Sequence, residues 1–178
     1  MYPRVFVIIL NYNGASWLPA CLDSLLQTTY LNFSLLVIDN NSSLTSLEGL
    51  NNLGSILGYV MIKSNPLLTS LEGLNNLKII GRNLILMANS SITSLTGLQN
   101  LITIKDFLNI TNNPSLITLS GIDNLSSIGG YLSIFSNSSL TGLTGLQKLI
   151  SIKGFLLIDS NKSLKTLTGL DNLSSIGG

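Results

Sequence analysis

The sequence predicts an α/β protein: a single right-handed parallel β-solenoid of 24-residue coils, preceded by an N-terminal β-α-β cap. Two observations support this prediction. From residue 41 onward, one 24-residue pattern recurs without insertion or deletion, and a strict period of about 20 to 50 residues is the signature of a solenoid. Residues 1–40 do not carry the repeat and instead show strand, helix and strand patterns in succession.

The composition describes a chain with a neutral polar surface. Of its 178 residues, 45% are hydrophobic and only 10% are charged, whereas charged residues make up about 25% of an average domain. Nine basic and eight acidic residues give a net charge of +1. Binding to a phosphate backbone needs a basic footprint, so we do not expect a nucleic-acid partner.

Several kinds of site lack the residues they would need. The chain has no histidine, and its one cysteine, Cys21, has no cysteine or histidine partner for a disulfide or for zinc. We therefore predict no catalytic residue, no metal site and no cofactor. No stretch approaches the 18 to 20 or so apolar residues of a membrane span, and Val5–Leu10 is a poor signal peptide.

The first forty residues predict a β-α-β unit. Val5–Leu10 is a continuous β-branched and aromatic run, typical of a strand buried on both faces of a parallel sheet. Turn residues follow at 11–14, and Ser16 can cap a helix over 16–27 whose apolar residues recur at helical spacing. Phe33–Asp39 is predicted as a second strand, parallel to the first, with a right-handed crossover.

Residues 4–43 resemble the beginning of family 2 glycosyltransferases of the GT-A fold. The shared features are an apolar strand ending in Tyr-Asn, a helix with a Cys-Leu-x-Ser-Leu-Leu core, then Thr-Tyr-x-Asn-Phe, and a second strand ending in Asp-Asn-x-Ser. The resemblance implies that Asn11, Tyr12 and Asp39 would hold the nucleotide of a sugar donor. Strand ends of this kind are where α/β sheets bind ligands.

The glycosyltransferase pattern stops after Ser42. No Asp-x-Asp metal motif and no catalytic-base segment follow it. The sequence therefore favours a protein without transferase activity, although the enzyme question stays open. The alternative is a truncated or remnant glycosyltransferase N-terminus that binds a nucleotide-sugar without complete catalytic machinery.

The repeat reads N-x-x-L-x-x-L-x-G-L-x-x-L-x-x-I-x-x-x-L-x-I-x-x. Its L-x-I pair alternates with a period of two and predicts a short strand with one face inward. The glycine predicts a tight turn into a helical or 3₁₀ stretch, capped where a hydroxyl residue such as Thr96 precedes it. Because buried amides must be paired, the repeated asparagine predicts a structural ladder along the solenoid. The ladder positions are Asn41, Asn65, Asn89, Asn113, Asn137 and Asn161.

Residues 35–178 resemble leucine-rich repeats, whose signature is close to L-x-I-x-x-N-x-x-L. The variety is most similar to that of receptor L domains and of some bacterial and fungal surface proteins. The resemblance implies a leucine-rich-repeat solenoid but no particular ligand, since solenoids host many functions. It also leaves the compartment open: such repeats favour a surface origin, whereas the encoded chain, without a signal peptide, favours the cytoplasm.

The two resemblances overlap at residues 35–44, which fit both patterns in phase. We therefore expect residues 1–40 to form the N-cap, and the second glycosyltransferase-like strand to be the first strand of the solenoid. Residues 41–178 would form about six repeats of 24 residues, the last one truncated. This pattern predicts a fragment of a longer repeat protein, or a chain that associates end to end. A third hypothesis is a chimeric reading frame without a selected function.

The outward side of the predicted strands is the candidate binding face. Its mid-strand positions are Val37, Met61, Ile85, Asn109, Ser133 and Leu157. The candidate binding residues are its aromatic and methionine side chains, Tyr59, Met61, Met87, Phe107, Tyr131, Phe135 and Phe155. An exposed apolar and aromatic face is typical of ligand-binding surfaces. The predicted function is a non-enzymatic leucine-rich-repeat scaffold that binds a protein or a carbohydrate there.

Overall fold

The computed structural model describes residues 5–11 and 33–177 of the chain. Two seven-residue strands come first, β1 (Val5–Asn11) and β2 (Phe33–Asp39). The four-residue strands of the repeat are β4 (Val60–Lys63), β6 (Leu84–Met87), β8 (Leu108–Thr111), β10 (Leu132–Phe135) and β12 (Leu156–Asp159). The two-residue strands are β3 (Ser55–Ile56), β5 (Ile79–Ile80), β7 (Thr103–Ile104), β9 (Ser127–Ile128), β11 (Ser151–Ile152) and β13 (Ser175–Ile176).

The repeat forms a parallel β-solenoid of 24-residue coils, which confirms this part of the predicted fold. The four-residue strands form a five-stranded parallel sheet in the order β4-β6-β8-β10-β12. Each residue pairs with the residue 24 positions further on, as Leu84 pairs with Leu108 and Leu108 with Leu132. Because the sequence period is constant, the register between neighbouring strands is constant as well. About five coils stack in this way.

The N-terminal segment supplies a parallel strand pair beside this sheet. β1 pairs with β2 from Val5↔Phe33 to Asn11↔Asp39. Residues of β2 also lie within 8 Å of residues of β4, measured between Cα atoms. The predicted helix over 16–27 lies outside the described residues, and the part of the chain that is described contains no helix. The α/β class and the β-α-β cap therefore stay predictions.

The core is a lattice of leucine and isoleucine side chains that point into each coil. In β6, Leu84 and Leu86 are buried, whereas Ile85 and Met87 are partly exposed on the other face. The same alternation holds in β4 and β8. Burying one such side chain contributes about 1.5–3 kcal/mol, so stacked coils stabilise one another. In the last coil the equivalent residues Leu156 and Ile158 are only partly buried.

A second sheet was missed by the sequence prediction. The two-residue strands pair in the order β13-β11-β9-β7-β5-β3 and form a six-stranded parallel sheet. In β3, β5, β7, β9 and β11 the isoleucine points inward, as Ile80 and Ile104 do, and a neighbour such as Ile79 faces outward. In β13, at the end of the sheet, Ile176 is 52% exposed. The repeated isoleucine was identified as a core position, but two residues are too few to show a strand period.

The turn after the glycine also differs from the prediction. The backbone N–H of Leu98 donates to the Leu95 carbonyl at 3.2 Å, and the backbone N–H of Leu101 donates to the Leu98 carbonyl at 2.9 Å. These are two successive i to i+3 turns, and the predicted helical or 3₁₀ stretch does not form there. The amide of Thr96 is capped by the Ser94 hydroxyl at 3.4 Å. The capping hydroxyl therefore lies two residues before the residue that the sequence suggested.

The repeated asparagines are buried and hydrogen-bonded from coil to coil. The backbone N–H of Asn89 donates to Asn113 Oδ1 at 3.1 Å, and the backbone N–H of Asn113 donates to Asn137 Oδ1 at 3.1 Å. Asn113 Nδ2 also donates to the Leu86 carbonyl of the preceding coil at 3.1 Å. Each side chain therefore satisfies backbone groups where the chain leaves the strand. The pattern changes at the first coils, since Asn65 Oδ1 has no hydrogen-bond partner in the part of the chain described.

Candidate functional site

The carboxyl edge of the β1–β2 pair is the first candidate site. Asn11 and Asp39 are the last residues of two parallel strands, and they are direct register partners. Their backbones are therefore neighbours, about 4.8 Å apart. Tyr12, the third residue predicted for nucleotide binding, lies outside the described residues. Lys63 ends β4, which lies next to β2, and its side chain is exposed.

The outward surface of the five-stranded sheet, called the outer face below, is the second candidate site. Register places its residues in three columns that run across the strands. The second column is Met61, Ile85, Asn109, Ser133 and Leu157, and the third is Lys63, Met87, Thr111, Phe135 and Asp159. The first column consists of the residues just before each strand, whose carbonyls from Asn83 onward accept from the neighbouring strand: Tyr59, Asn83, Phe107, Tyr131 and Phe155. Only the ends of the third column are charged. All seven predicted binding residues therefore share this one face.

Three rings of the first column form a continuous stack, the aromatic column. The centroids of Phe107 and Tyr131 are 4.4 Å apart with an interplanar angle of 8°, and those of Tyr131 and Phe155 are 4.7 Å apart at 4°. Each such pair contributes about 0.5–1.5 kcal/mol beyond its buried area. Both faces of the Tyr131 ring are thus covered by neighbouring rings. Tyr59 is separated from the stack by Asn83.

The Tyr131 hydroxyl stays neutral at physiological pH. Burial raises its pKa above the usual value of 10.0, and the nearby Asp106 carboxylate raises it further. Both effects disfavour the phenolate. Tyr131 can therefore donate a hydrogen bond from the rim of the outer face.

At β8 and β10 the second column consists of small polar residues, and this part of the outer face, between the first and third columns, is called the trough below. Its floor is Asn109 and Ser133, which the sequence placed outward but did not select as binding residues. The bulky Ile85 and Leu157 occupy the same column on the neighbouring strands. The sequence carries this signal only when the repeats are aligned, because the two small polar residues then stand out between larger ones.

The described residues contain no cluster of three or more histidine, cysteine, aspartate or glutamate side chains suited to a metal ion. Within the same residues, no helix is long and apolar enough to cross a bilayer. The two candidate surfaces are the β1–β2 edge and the outer face, and the fold of the repeat is a parallel β-solenoid.

Comparison with known proteins supports the N-terminal resemblance. The family model for glycosyl transferase family 2 matches residues 6–64, about a third of the chain. The match runs past Ser42, where the recognisable motifs end, through the first coil to the end of β4. Neither the curated proteins nor the solved structures gave a significant match.

Proposed function

We propose that the chain is a non-enzymatic binding scaffold of the leucine-rich-repeat type, whose ligand docks on the outer face. The observation that carries the proposal is the concentration of aromatic and large apolar side chains on this face. Phe155 is 52% exposed and Leu157 is 41% exposed on β12, and Phe135 on β10 and Met87 on β6 are partly exposed. Such clustered aromatic residues are the usual energetic centre of an interface.

The other surfaces of the solenoid support the same choice. On the outer side of the six-stranded sheet, the strands contribute mainly serine or threonine besides Ile79. The exposed Ile102 and Ile150 stand one residue before β7 and β11, and Ser126 occupies the same repeat position in the coil between them. Single exposed apolar residues are ordinary on any protein surface. The outer face differs because its apolar residues adjoin one another in register.

A charge introduced into the outer face should weaken ligand binding. The chain would be screened against a glycan array and a displayed peptide library, and each hit measured with Leu157→Asp. Affinity should fall at least about tenfold, because a carboxylate would be desolvated at the interface. Ile79→Asp is the matched control, since Ile79 is 39% exposed on a strand of the other sheet. Equal binding by both variants, or no ligand in either screen, would contradict the proposal.

A second candidate function is nucleotide-sugar binding at the β1–β2 edge. The family-model match and the register pairing of Asn11 with Asp39 favour it. A carboxylate at a strand end can accept hydrogen bonds from a ribose or a base, and the Lys63 ammonium on the neighbouring strand carries the charge opposite to that of a diphosphate.

Calorimetric titration with UDP-glucose tests this candidate. A dissociation constant in the micromolar range is expected, and Asp39→Ala should weaken binding about tenfold because charge-assisted hydrogen bonds are lost. Asp159→Ala is the control, because Asp159 occupies the same position of the repeat in β12. If UDP-glucose does not bind, or if both variants weaken it equally, the edge is not a nucleotide site.

A further inference from the structure

Ser133 is a buried polar residue without a hydrogen-bond partner for its side chain. It is only 8% exposed although it lies on the outer face, with Leu132 and Ile134 on either side pointing into the core. Its hydroxyl forms no hydrogen bond with any residue in the described ranges. Its oxygen reaches the surface of the outer face, since it is not among the fully enclosed polar atoms that lack a partner in the described residues. The hydroxyl at the bottom of the trough is therefore available to a ligand.

The neighbouring floor residue offers complementary groups. Asn109 is the register partner of Ser133, and its Oδ1 accepts a hydrogen bond from the Thr111 hydroxyl. That bond orients the Asn109 amide and leaves the two Nδ2 protons for other acceptors. Lys63 and Asp159 lie at opposite ends of the third column, so the floor itself is uncharged. The trough therefore presents neutral donors and acceptors to a neutral ligand.

The walls of the trough differ in what they can contact. On one side, Tyr131 is stacked between Phe107 and Phe155 and turns only its edge and hydroxyl outward. On the other side, Phe135 is partly exposed, and no other aromatic ring of the described residues is stacked on it. A partly exposed aromatic ring beside a few convergent polar groups is the usual composition of a small-ligand site.

We propose that this trough binds one sugar ring of a neutral carbohydrate. The ring's C–H groups contact Phe135, and its hydroxyls pair with Ser133 and Asn109. A peptide's apolar side chain would fill the same space but leave both polar groups unpaired, which makes it the poorer occupant. The inference rests on the proposed function, since it assigns a ligand class to the outer face.

Neutral disaccharides test the assignment directly. Cellobiose, lactose, maltose and N,N′-diacetylchitobiose would be titrated into the chain, with the displayed peptide library screened in parallel. At least one disaccharide should bind, and Ser133→Ala should weaken it about 2- to 10-fold, the value of one hydrogen bond. Ser133→Leu, which fills the trough, should weaken it more than tenfold. Ser127→Leu on the other sheet is the matched control and should leave affinity unchanged, and equal thermal midpoints would verify that each variant folds.

The outcomes separate the two proposals. If no neutral disaccharide binds but peptides do, and Leu157→Asp weakens the peptide binding, the outer face is a binding surface and the sugar assignment is wrong. If a disaccharide binds equally well to Ser133→Leu, the trough is not its site. If neither ligand class binds, both the sugar assignment and the proposed function fail.

Discussion

Replacing Gly121 with alanine is expected to lower the free energy of unfolding by at least about 3 kcal/mol. Gly121 has a φ of 115°, a conformation that residues with a Cβ rarely adopt. An added Cβ would collide with the Leu95 carbonyl and lie 2.6 Å from the Thr96 nitrogen of the preceding coil. The Leu95 amide donates to the Ser120 carbonyl at 2.8 Å, so moving the coils apart would also break that bond.

Gly142→Ala is the control for this substitution. Gly142 lies in the next coil, and the nearest atom to an added Cβ is Thr166 Cγ2 at 3.7 Å, an ordinary contact. Its effect should be within about 1 kcal/mol, and stabilisation is possible because alanine restricts the unfolded chain. Guanidinium denaturation followed by circular dichroism measures both variants. Equal midpoints for Gly121→Ala and Gly142→Ala would show that coil spacing does not depend on this glycine.

Asn113→Ala is expected to cost about 3–5 kcal/mol, because it leaves several buried groups without partners at about 1–3 kcal/mol each. The backbone amide of Asn89 would lose its acceptor, Asn113 Oδ1, at 3.1 Å. The carbonyls of Leu86 and Thr111 would each lose the bond from Asn113 Nδ2, both at 3.1 Å. Asn113 is 1% exposed, so water cannot replace these bonds.

Asn161→Ala separates burial from the number of hydrogen bonds. Asn161 Oδ1 accepts from the Asn137 backbone amide at 2.9 Å, and its Nδ2 donates to the Ile134 carbonyl at 2.8 Å. The residue is partly exposed in the last coil, however, so water can take over these bonds. Its substitution should cost less than half as much in the same denaturation experiment. If the two substitutions cost the same, desolvation is not what makes the ladder stabilising.

The sequence predicted best those features of the fold that follow from the 24-residue period itself. A 24-residue repeat of Leu, Ile, Asn and Gly requires each copy to meet the same neighbours, so parallel stacking and strand register follow from the period. The sequence did not predict the backbone conformations that tertiary packing imposes. Ala88 and Ser136 have positive φ angles of 57° and 56° just before ladder asparagines. Of the five residues with a positive φ at this position, only Asn112 is of a type that favours the left-handed region.

Of the two candidate sites, one was predictable from the sequence and the other was not. The paired strand ends Asn11 and Asp39 followed from a recognisable motif and the parallel-strand rule. The trough did not, because the significance of Ser133 depends on its neighbours in three adjacent coils. Composition marks Ser133 and Asn109 as polar residues, and only the packed structure shows that Ser133 is 8% exposed and that its hydroxyl has no hydrogen-bond partner within the described residues.

The stacking of 24-residue coils underlies every argument above, and spin-label distances test it most directly. In a Cys21→Ser background, labels would be placed at Thr45 and, in turn, at Ile117, Thr141 and Lys165, which are exposed and occupy one position of the repeat. Strands in a sheet lie about 4.8 Å apart, so the distances should be about 14, 19 and 24 Å. A steady increase of about 5 Å per coil is the predicted result. Distances that do not increase with coil number, or that differ for the first coil, would contradict a single solenoid continuous with the glycosyltransferase-like strand.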